Sequence, residues 1–174
     1  LTFPDAALPA STEEIRGRIR EFLASELAAG SYTPKVDTWL SGHDASFSKK
    51  LGAAGFLGLT YPKEYGGQAR SALDRFVVVE ELLAHGAPIA AHWIAERQSG
   101  PSIIKHGNDA IKEELVPGIV AGEVYFSIGM SEPDSGSDLA SIRSSARKVD
   151  GGYIVNGTKV WTSQAHNNHY FIVL

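Results

Sequence analysis

The chain has 174 residues, 43% of them hydrophobic and 21% charged, enough to bury an ordinary globular core in one or two small domains. A net charge of −4 with no run of Lys or Arg argues against a nucleic-acid surface. Cysteine is absent, which removes disulfides and thiolate chemistry; no apolar stretch reaches membrane-span length and no signal-peptide pattern opens the chain, so a cytoplasmic protein is expected.

Helical signals fill the first 122 residues. Ser11 and Glu14 read as a capping box, after which Ile15, Ile19, Phe22, Leu23 and Leu27 recur at helical spacing up to a stop at Gly30. Phe47, Leu51 and Ala54 predict a second helix ending at Gly55. Ser71 precedes a third, whose apolar face is read as Leu73, Phe76, Val77, Val79 and Leu83, ending near Gly86. Pro88 opens a fourth through Ile89, Trp93 and Ile94 towards Ser99, and Pro101 opens another. Asn108 caps a helix from Asp109 to about Ala121, where Pro117 is expected to kink or end the last turns.

The pattern changes at Gly122. Strands are expected over residues 124–130, 142–149, 153–155, 159–163 and 170–174, with Asp150-Gly151-Gly152 and Asn156-Gly157 as hairpin turns. Asn156-Gly157-Thr158 is formally a glycosylation sequon, but its place between two apolar runs favours the turn. The sequence stops inside an apolar run, which would leave an open sheet edge, so a longer natural chain is expected. The domain division expected is 1–122 helical and 123–174 the first part of a β-domain.

Three segments carry chemistry. Residues 129–141, Gly-Met-Ser-Glu-Pro-Asp-Ser-Gly-Ser-Asp-Leu-Ala-Ser, end an apolar run in a proline bend and a Ser-Gly-Ser-Asp loop. Such a loop offers several backbone N–H groups and hydroxyls to a pyrophosphate or a polar heterocycle edge, although the same residue types also build ordinary Ser and Asx turns. Residues 155–163 read Val-Asn-Gly-Thr-Lys-Val-Trp-Thr-Ser, and residues 60–67 read Thr-Tyr-Pro-Lys-Glu-Tyr-Gly-Gly.

In this order the three segments resemble the acyl-CoA dehydrogenase family. Gly129, Met130, Ser131, Glu132, Ser135, Gly136, Ser137, Asp138 and Ser141 match every specified position of its signature. The second segment resembles the family's Asn-Gly-x-Lys-x-Trp-Ile-Thr block and the third its Pro-Glu-x-Tyr-Gly-Gly loop. The resemblance implies an α+β fold: an N-terminal all-α domain, then the first part of a β-barrel domain, with the family's C-terminal helical domain absent from this chain. It implies FAD as cofactor and an acyl-CoA thioester as substrate, dehydrogenated to the trans-2-enoyl-CoA with hydride transfer to flavin N5. An electron-transfer flavoprotein is implied as acceptor, in a homo- or hetero-oligomer.

By the same resemblance the backbone of Ile128 and Met130 runs along the flavin ring and Ser131 bonds its pyrimidine and N5 edge. Trp161, Thr162 and Ser163 face it from the other side, and Gly136 permits close approach. Ser137 lies on the path of the pyrophosphates or of the acyl-CoA. For Trp161 the alternative is an ordinary barrel-core aromatic. Two departures stand out. Asp134 occupies a place beside the phosphate loop and is expected to point to solvent, and an aromatic found in some members is Ile128 here.

Glu132 is expected to hold its loop by accepting backbone hydrogen bonds. In the family the base that takes the α-proton is a later glutamate, beyond residue 174, so a polypeptide ending there is expected not to catalyse alone. Residues 91–101 line the acyl end of the pocket by resemblance, and His92, Glu96, Arg97 and Gln98 are unusually polar for it. One reading is a solvated helix face with His92 paired to Glu96. The other is a bulky or polar acyl group, ring-bearing or sterol-derived, bound by Arg97 and Gln98. Rival activities are an acyl-CoA oxidase or flavin monooxygenase, or a non-catalytic partner subunit of a heteromeric dehydrogenase.

Other constellations fail. Pro133 stands where a Gly-x-Ser-x-Gly elbow needs its last glycine, no Gly-x-Gly-x-x-Gly follows a strand, and His166 with His169 lacks acidic or Cys companions, so no metal is expected.

Overall fold

The computed structural model describes residues 7–174; the first six residues of the expected helical domain lie outside the described residues. A helical layer comes first. It comprises α1 (Ala10–Ala28), α2 (Thr38–Ser41), α3 (Ala45–Ala53), α4 (Ala72–Ala84), α5 (Ala90–Ile94), a π turn (Ala95–Ser99), α6 (Gly100–His106) and α7 (Asp109–Val120). Strands β1 (Phe126–Gly129), β2 (Ser145–Val149), β3 (Gly152–Asn156) and β4 (Tyr170–Val173) follow. β1 pairs with β4 in parallel, Phe126 opposite Tyr170, and β2 pairs with β3 across the Asp150-Gly151 turn. Among the described residues no helix is long and apolar enough to cross a membrane.

Local chemistry explains most boundaries. Ser71 accepts from Asp74 N while the Asp74 carboxylate receives Ser71 N, a complete capping box, and Asn108 accepts from Ile111 N at 2.9 Å. The box expected at Ser11 and Glu14 does not form. Pro9 is the N-cap of α1, its carbonyl receiving Thr12 N, so Ser11 already lies inside the helix. Pro117 neither stops nor ends α7, which continues to Val120.

Ile15, Ile19 and Leu23 of α1 pack with Phe47 and Leu51 of α3 and Val78 and Leu82 of α4 in one core. The face expected for α4 holds at Val77 but not at Leu73, Phe76 and Leu83, which are exposed, while Asp74 and Glu81 are buried beside Val77 and Val78. The cause is electrostatic. Glu81 takes Arg16 and Arg20 of α1 at 2.6 and 2.8 Å, and Asp74 takes Thr12 and Arg70 at 2.7 and 3.0 Å. A carboxylate satisfied by several donors can be buried where an unpaired one cannot.

A second core joins the helices to the β-segment: Tyr61, Ala95, Leu115, Val116, Ile119 and Phe126. Tyr61 also locks the π turn. Its hydroxyl donates to the Glu96 carbonyl at 2.6 Å, one of the acceptors that a π turn releases from regular helical pairing. Gly100 makes room for it, since a Cβ there would overlap Tyr61 Oη and lie 2.6 Å from Cζ. The Thr60–Gly67 motif therefore supports the helix that carries Arg97 and Gln98.

Candidate functional site

Two of the three motif segments lie side by side. β1 ends at Gly129, and the chain after it runs beside residues 159–163. Val160 N donates to Ser131 O at 2.9 Å, and Ser127 Oγ donates to Ser163 O at 2.8 Å. The expected strand over 159–163 does not form, and Asn156-Gly157 does not make a tight hairpin; the 157–169 segment is irregular. Its side chains tie it elsewhere in the fold. Gln164 Nε2 donates to Leu40 O at 2.6 Å, and Asn168 Nδ2 donates to Phe126 O at 2.8 Å.

Glu132 is the fastener. Its carboxylate accepts Arg143 N at 2.7 Å, Ser144 N at 2.9 Å and Lys159 Nζ at 2.8 Å, and Lys159 also donates to Met130 O at 3.0 Å. One carboxylate thus closes the 132–143 loop at its base and pins it to the second motif. The ammonium of Lys159 foremost, then the donors at Ser144 and Arg143, push its carboxyl pKa down to about 2. Glu132 and Ser135 add a two-bond bridge within the loop. Sequence reasoning misses Lys159; its signal is the lysine of the Asn-Gly-x-Lys block, which meets Glu132, the buried one of the three carboxylates in residues 129–141.

The expected site residues around the clamp are half-buried or exposed. Ile128 is half-buried on β1, opposite Ile172, and Met130 is exposed. Ser131 and Thr162 are half-buried and Ser137 and Ser163 exposed, and among the described residues none of their hydroxyls is engaged in a side-chain hydrogen bond. Trp161 is not a core aromatic: it is 90% exposed and sits at φ 58°, a left-handed conformation disfavoured for a bulky side chain. Gly136 is exposed, and a Cβ there would meet nothing within 4 Å, so this chain's own packing does not require that glycine. Asp134 points outward, 3.6 Å from Arg143 with both side chains exposed.

The 91–101 helix separates its polar residues. His92 and Glu96 are both buried and do not pair, which overturns the solvated-face reading for them. His92 Nδ1 lies 2.7 Å from Ser48 Oγ, and burial pushes its pKa down to about 3. Glu96 receives Arg75 Nε at 3.2 Å, and burial raises its pKa against that pull. Arg97 and Gln98 are exposed, and the Arg97 guanidinium lies 4.2 Å from the Trp93 ring centre. His169 stacks on Tyr125 and accepts Tyr125 N at 3.1 Å, and no three potential metal ligands gather among the described residues.

The chain is similar to known proteins in sequence and in fold. Residues 9–123 match the model of the acyl-CoA dehydrogenase N-terminal domain, and residues 127–174 match that of the middle domain. Acyl-CoA dehydrogenase FadE26 of Mycobacterium tuberculosis is 36% identical over 160 residues, 87% of this chain and 38% of that protein. A solved structure described as the Tcur3481-Tcur3483 steroid ACAD superposes with TM-score 0.84 at 32% identity, covering 98% of this chain and 44% of that one. A glutaryl-CoA dehydrogenase of Mycobacterium smegmatis in complex with FADH2 superposes with TM-score 0.70 at 25% identity, covering 89% and 39%. The chain spans about two fifths of the length of the curated relatives it matches. Its helical domain and the start of its β-domain are those of the acyl-CoA dehydrogenase family, to which this chain belongs.

Proposed function

We propose that the protein of which this chain is part binds FAD on the face built by Ser131, Trp161 and Ser163 and oxidises an acyl-CoA to its trans-2-enoyl-CoA. The observation that carries the reading is the clamped pair of motifs: a 90% exposed indole on strained backbone beside unengaged hydroxyls. An exposed Trp gains from stacking on a flat heterocycle, and free hydroxyls match the polar edge of one. These residues fit an isoalloxazine, and the FADH2 complex of the glutaryl-CoA dehydrogenase relative supports the choice. FAD when bound supplies the acceptor for the β-hydride, which no side chain can provide.

The chain's own part is placement. Ser131 and Thr162 offer donors to the ring edge, Ser163 approaches from the second motif, and Ile128 and Met130 line the ring's flank. Ser137, on the loop that Glu132 closes, stands towards the phosphates, with Gly136 leaving the backbone N–H groups open. Glu132 is unsuited to take the α-proton: its carboxylate already accepts three hydrogen bonds and its pKa near 2 makes it a poor base. The base belongs to chain beyond residue 174. We place the domain division at 122/123, the protein in the cytoplasm, and its assembly as an oligomer that passes electrons to an electron-transfer flavoprotein.

The substrate reading favours a bulky acyl group. Exposed Arg97 and Gln98 on the 91–101 helix are polar for a straight alkyl tail, and the similarity to a steroid ACAD points the same way. The test is anaerobic mixing of the purified full-length protein with a panel of acyl-CoAs. Bleaching of the flavin with loss of two hydrogens from the acyl group is expected, fastest on ring-bearing thioesters. A protein that carries no flavin, or flavin that no acyl-CoA reduces, refutes the activity; preference for straight chains refutes the substrate class alone.

A further inference from the structure

A continuous strip of side chains leads from the Trp161 segment to the outer face of α4. Gln164, on that segment, holds Leu40 O at 2.6 Å. Next to Leu40, the exposed Trp39 packs on Trp93 with ring centroids 5.9 Å apart. Arg97 lies over the Trp93 ring at 4.2 Å. Arg97 and Arg75 then line one surface pocket of about 160 Å³ whose other walls are Ala72, Phe76 and Val79. The strip is apolar and aromatic along its length and cationic at its far end.

The charges there are unbalanced. Arg75 Nε is held by the buried Glu96 carboxylate at 3.2 Å, which fixes the guanidinium and leaves its terminal nitrogens for another acceptor. Arg97 forms no ion pair with a carboxylate among the described residues. Two guanidinium groups face one carboxylate, and burial together with Arg75 lowers the Arg97 pKa. A planar guanidinium fork pairs best with a carboxylate, and a fused-ring or otherwise rigid hydrocarbon stacks well on Trp faces. Gln98, exposed beside Arg97, adds neutral donors.

We infer that this strip selects acyl groups whose rigid apolar body lies along Trp39 and Trp93 and whose end remote from the thioester carries a carboxylate, held by Arg97 and Arg75. The inference rests on the acyl-CoA reading above and narrows it from bulky to bulky and anionic. Its chemistry is recognition only; no bond is made or broken there.

The test uses the flavin-loaded full-length protein and two thioesters of one decalin-propanoyl-CoA, with the ring carboxylate free or as its methyl ester. The free carboxylate is expected to be favoured about tenfold or more in kcat/KM, through KM rather than kcat, as a uniform binding contact requires. In Arg97→Gln the ratio of acid to ester falls to about twofold, and in Arg97→Lys, which keeps charge but loses the fork, it lies between. Calorimetry with the free decalin dicarboxylate as probe gives a readout independent of turnover, with binding lost in Arg97→Gln. Equal handling of acid and ester by the unaltered protein, or a ratio that Arg97→Gln leaves as it was, overturns the proposal. If neither thioester reduces the flavin but the dicarboxylate binds and Arg97→Gln abolishes that binding, the dehydrogenase reading fails and the carboxylate site stands.

Discussion

Gly100→Ala separates two opposed physical effects at the π turn. Helix propensity alone favours alanine by about 1 kcal/mol, because glycine loses more backbone entropy on ordering. Sterics oppose it. The new Cβ would overlap Tyr61 Oη, lie 2.6 Å from Cζ and 3.0 Å from Cε2, and Tyr61 is 2% exposed with no room to retreat. Overpacking a rigid core site costs about 1–3 kcal/mol, and displacing the ring also weakens the hydrogen bond to the Glu96 carbonyl, worth about 1 kcal/mol. The steric terms win, and urea unfolding of the protein should show a net loss of about 2 kcal/mol. Tyr61→Phe alone should lose about 1–3 kcal/mol, because the buried Glu96 carbonyl loses its donor. Combined, the two should cost less than their sum, since the phenylalanine removes the worst overlap. A Gly100→Ala variant as stable as the parent, or more so, would refute the lock between Tyr61 and the π turn.

Three further outcomes are expected. The Glu132 carboxyl, with its pKa near 2, contributes stability that is present above the ordinary carboxylate range and fades as pH falls towards 2. Glu132→Gln should therefore flatten the acid limb of a stability-pH profile between about pH 4.5 and 2; parallel limbs would show that the clamp is not ionised in the way described. His92, held neutral with a pKa near 3, has the opposite origin but the same sign: the unfolded chain takes up a proton below about pH 6.5 and the folded one does not. Between pH 7 and pH 5.5 the parent should lose about 1.3 kcal/mol more stability than His92→Gln, as denaturant titrations of both at the two pH values will show. Replacing Leu51, fully buried in the α1–α3–α4 core, by alanine should cost about 2–5 kcal/mol in the same assay, and a loss under 1 kcal/mol would mean that this core is loosely packed.

Much of the fold was legible because local signals act alone at helix ends. Ser71 and Asn108 sit where their side chains satisfy the free N–H groups of α4 and α7, and Gly55 and Gly86 follow α3 and α4 as expected. The misread elements are those where distant partners decide. Leu73, Phe76 and Leu83 have the spacing of a buried stripe, yet α4 turns Asp74 and Glu81 inward because Thr12, Arg16, Arg20 and Arg70 are waiting there. Residues 159–163 have the composition of a strand, yet Lys159 is drawn to a carboxylate 27 positions earlier and Trp161 is left in a left-handed conformation.

The site shows the same division. Ser131, Ser137, Trp161 and Ser163 are singled out by the resemblance of their segments to the acyl-CoA dehydrogenase motifs. The fastening of those segments was not legible: it depends on Lys159 meeting Glu132, on Asn168 reaching Phe126 O, and on Gln164 reaching Leu40 O. His92 and Glu96 looked like a solvated pair at i,i+4 spacing, but a π turn shifts the helical register after Ile94, and each finds its partner on another element, Ser48 for one and Arg75 for the other.

The central claim is that the clamped motifs form a flavin face, and the direct measurement is titration of FAD into the full-length apoprotein, followed by visible flavin absorption and by tryptophan fluorescence. The account predicts one flavin retained per chain, with quenching that Trp161→Leu largely removes while Trp39 and Trp93 remain. A protein that stays colourless at saturating FAD, or quenching that Trp161→Leu leaves intact, would contradict it.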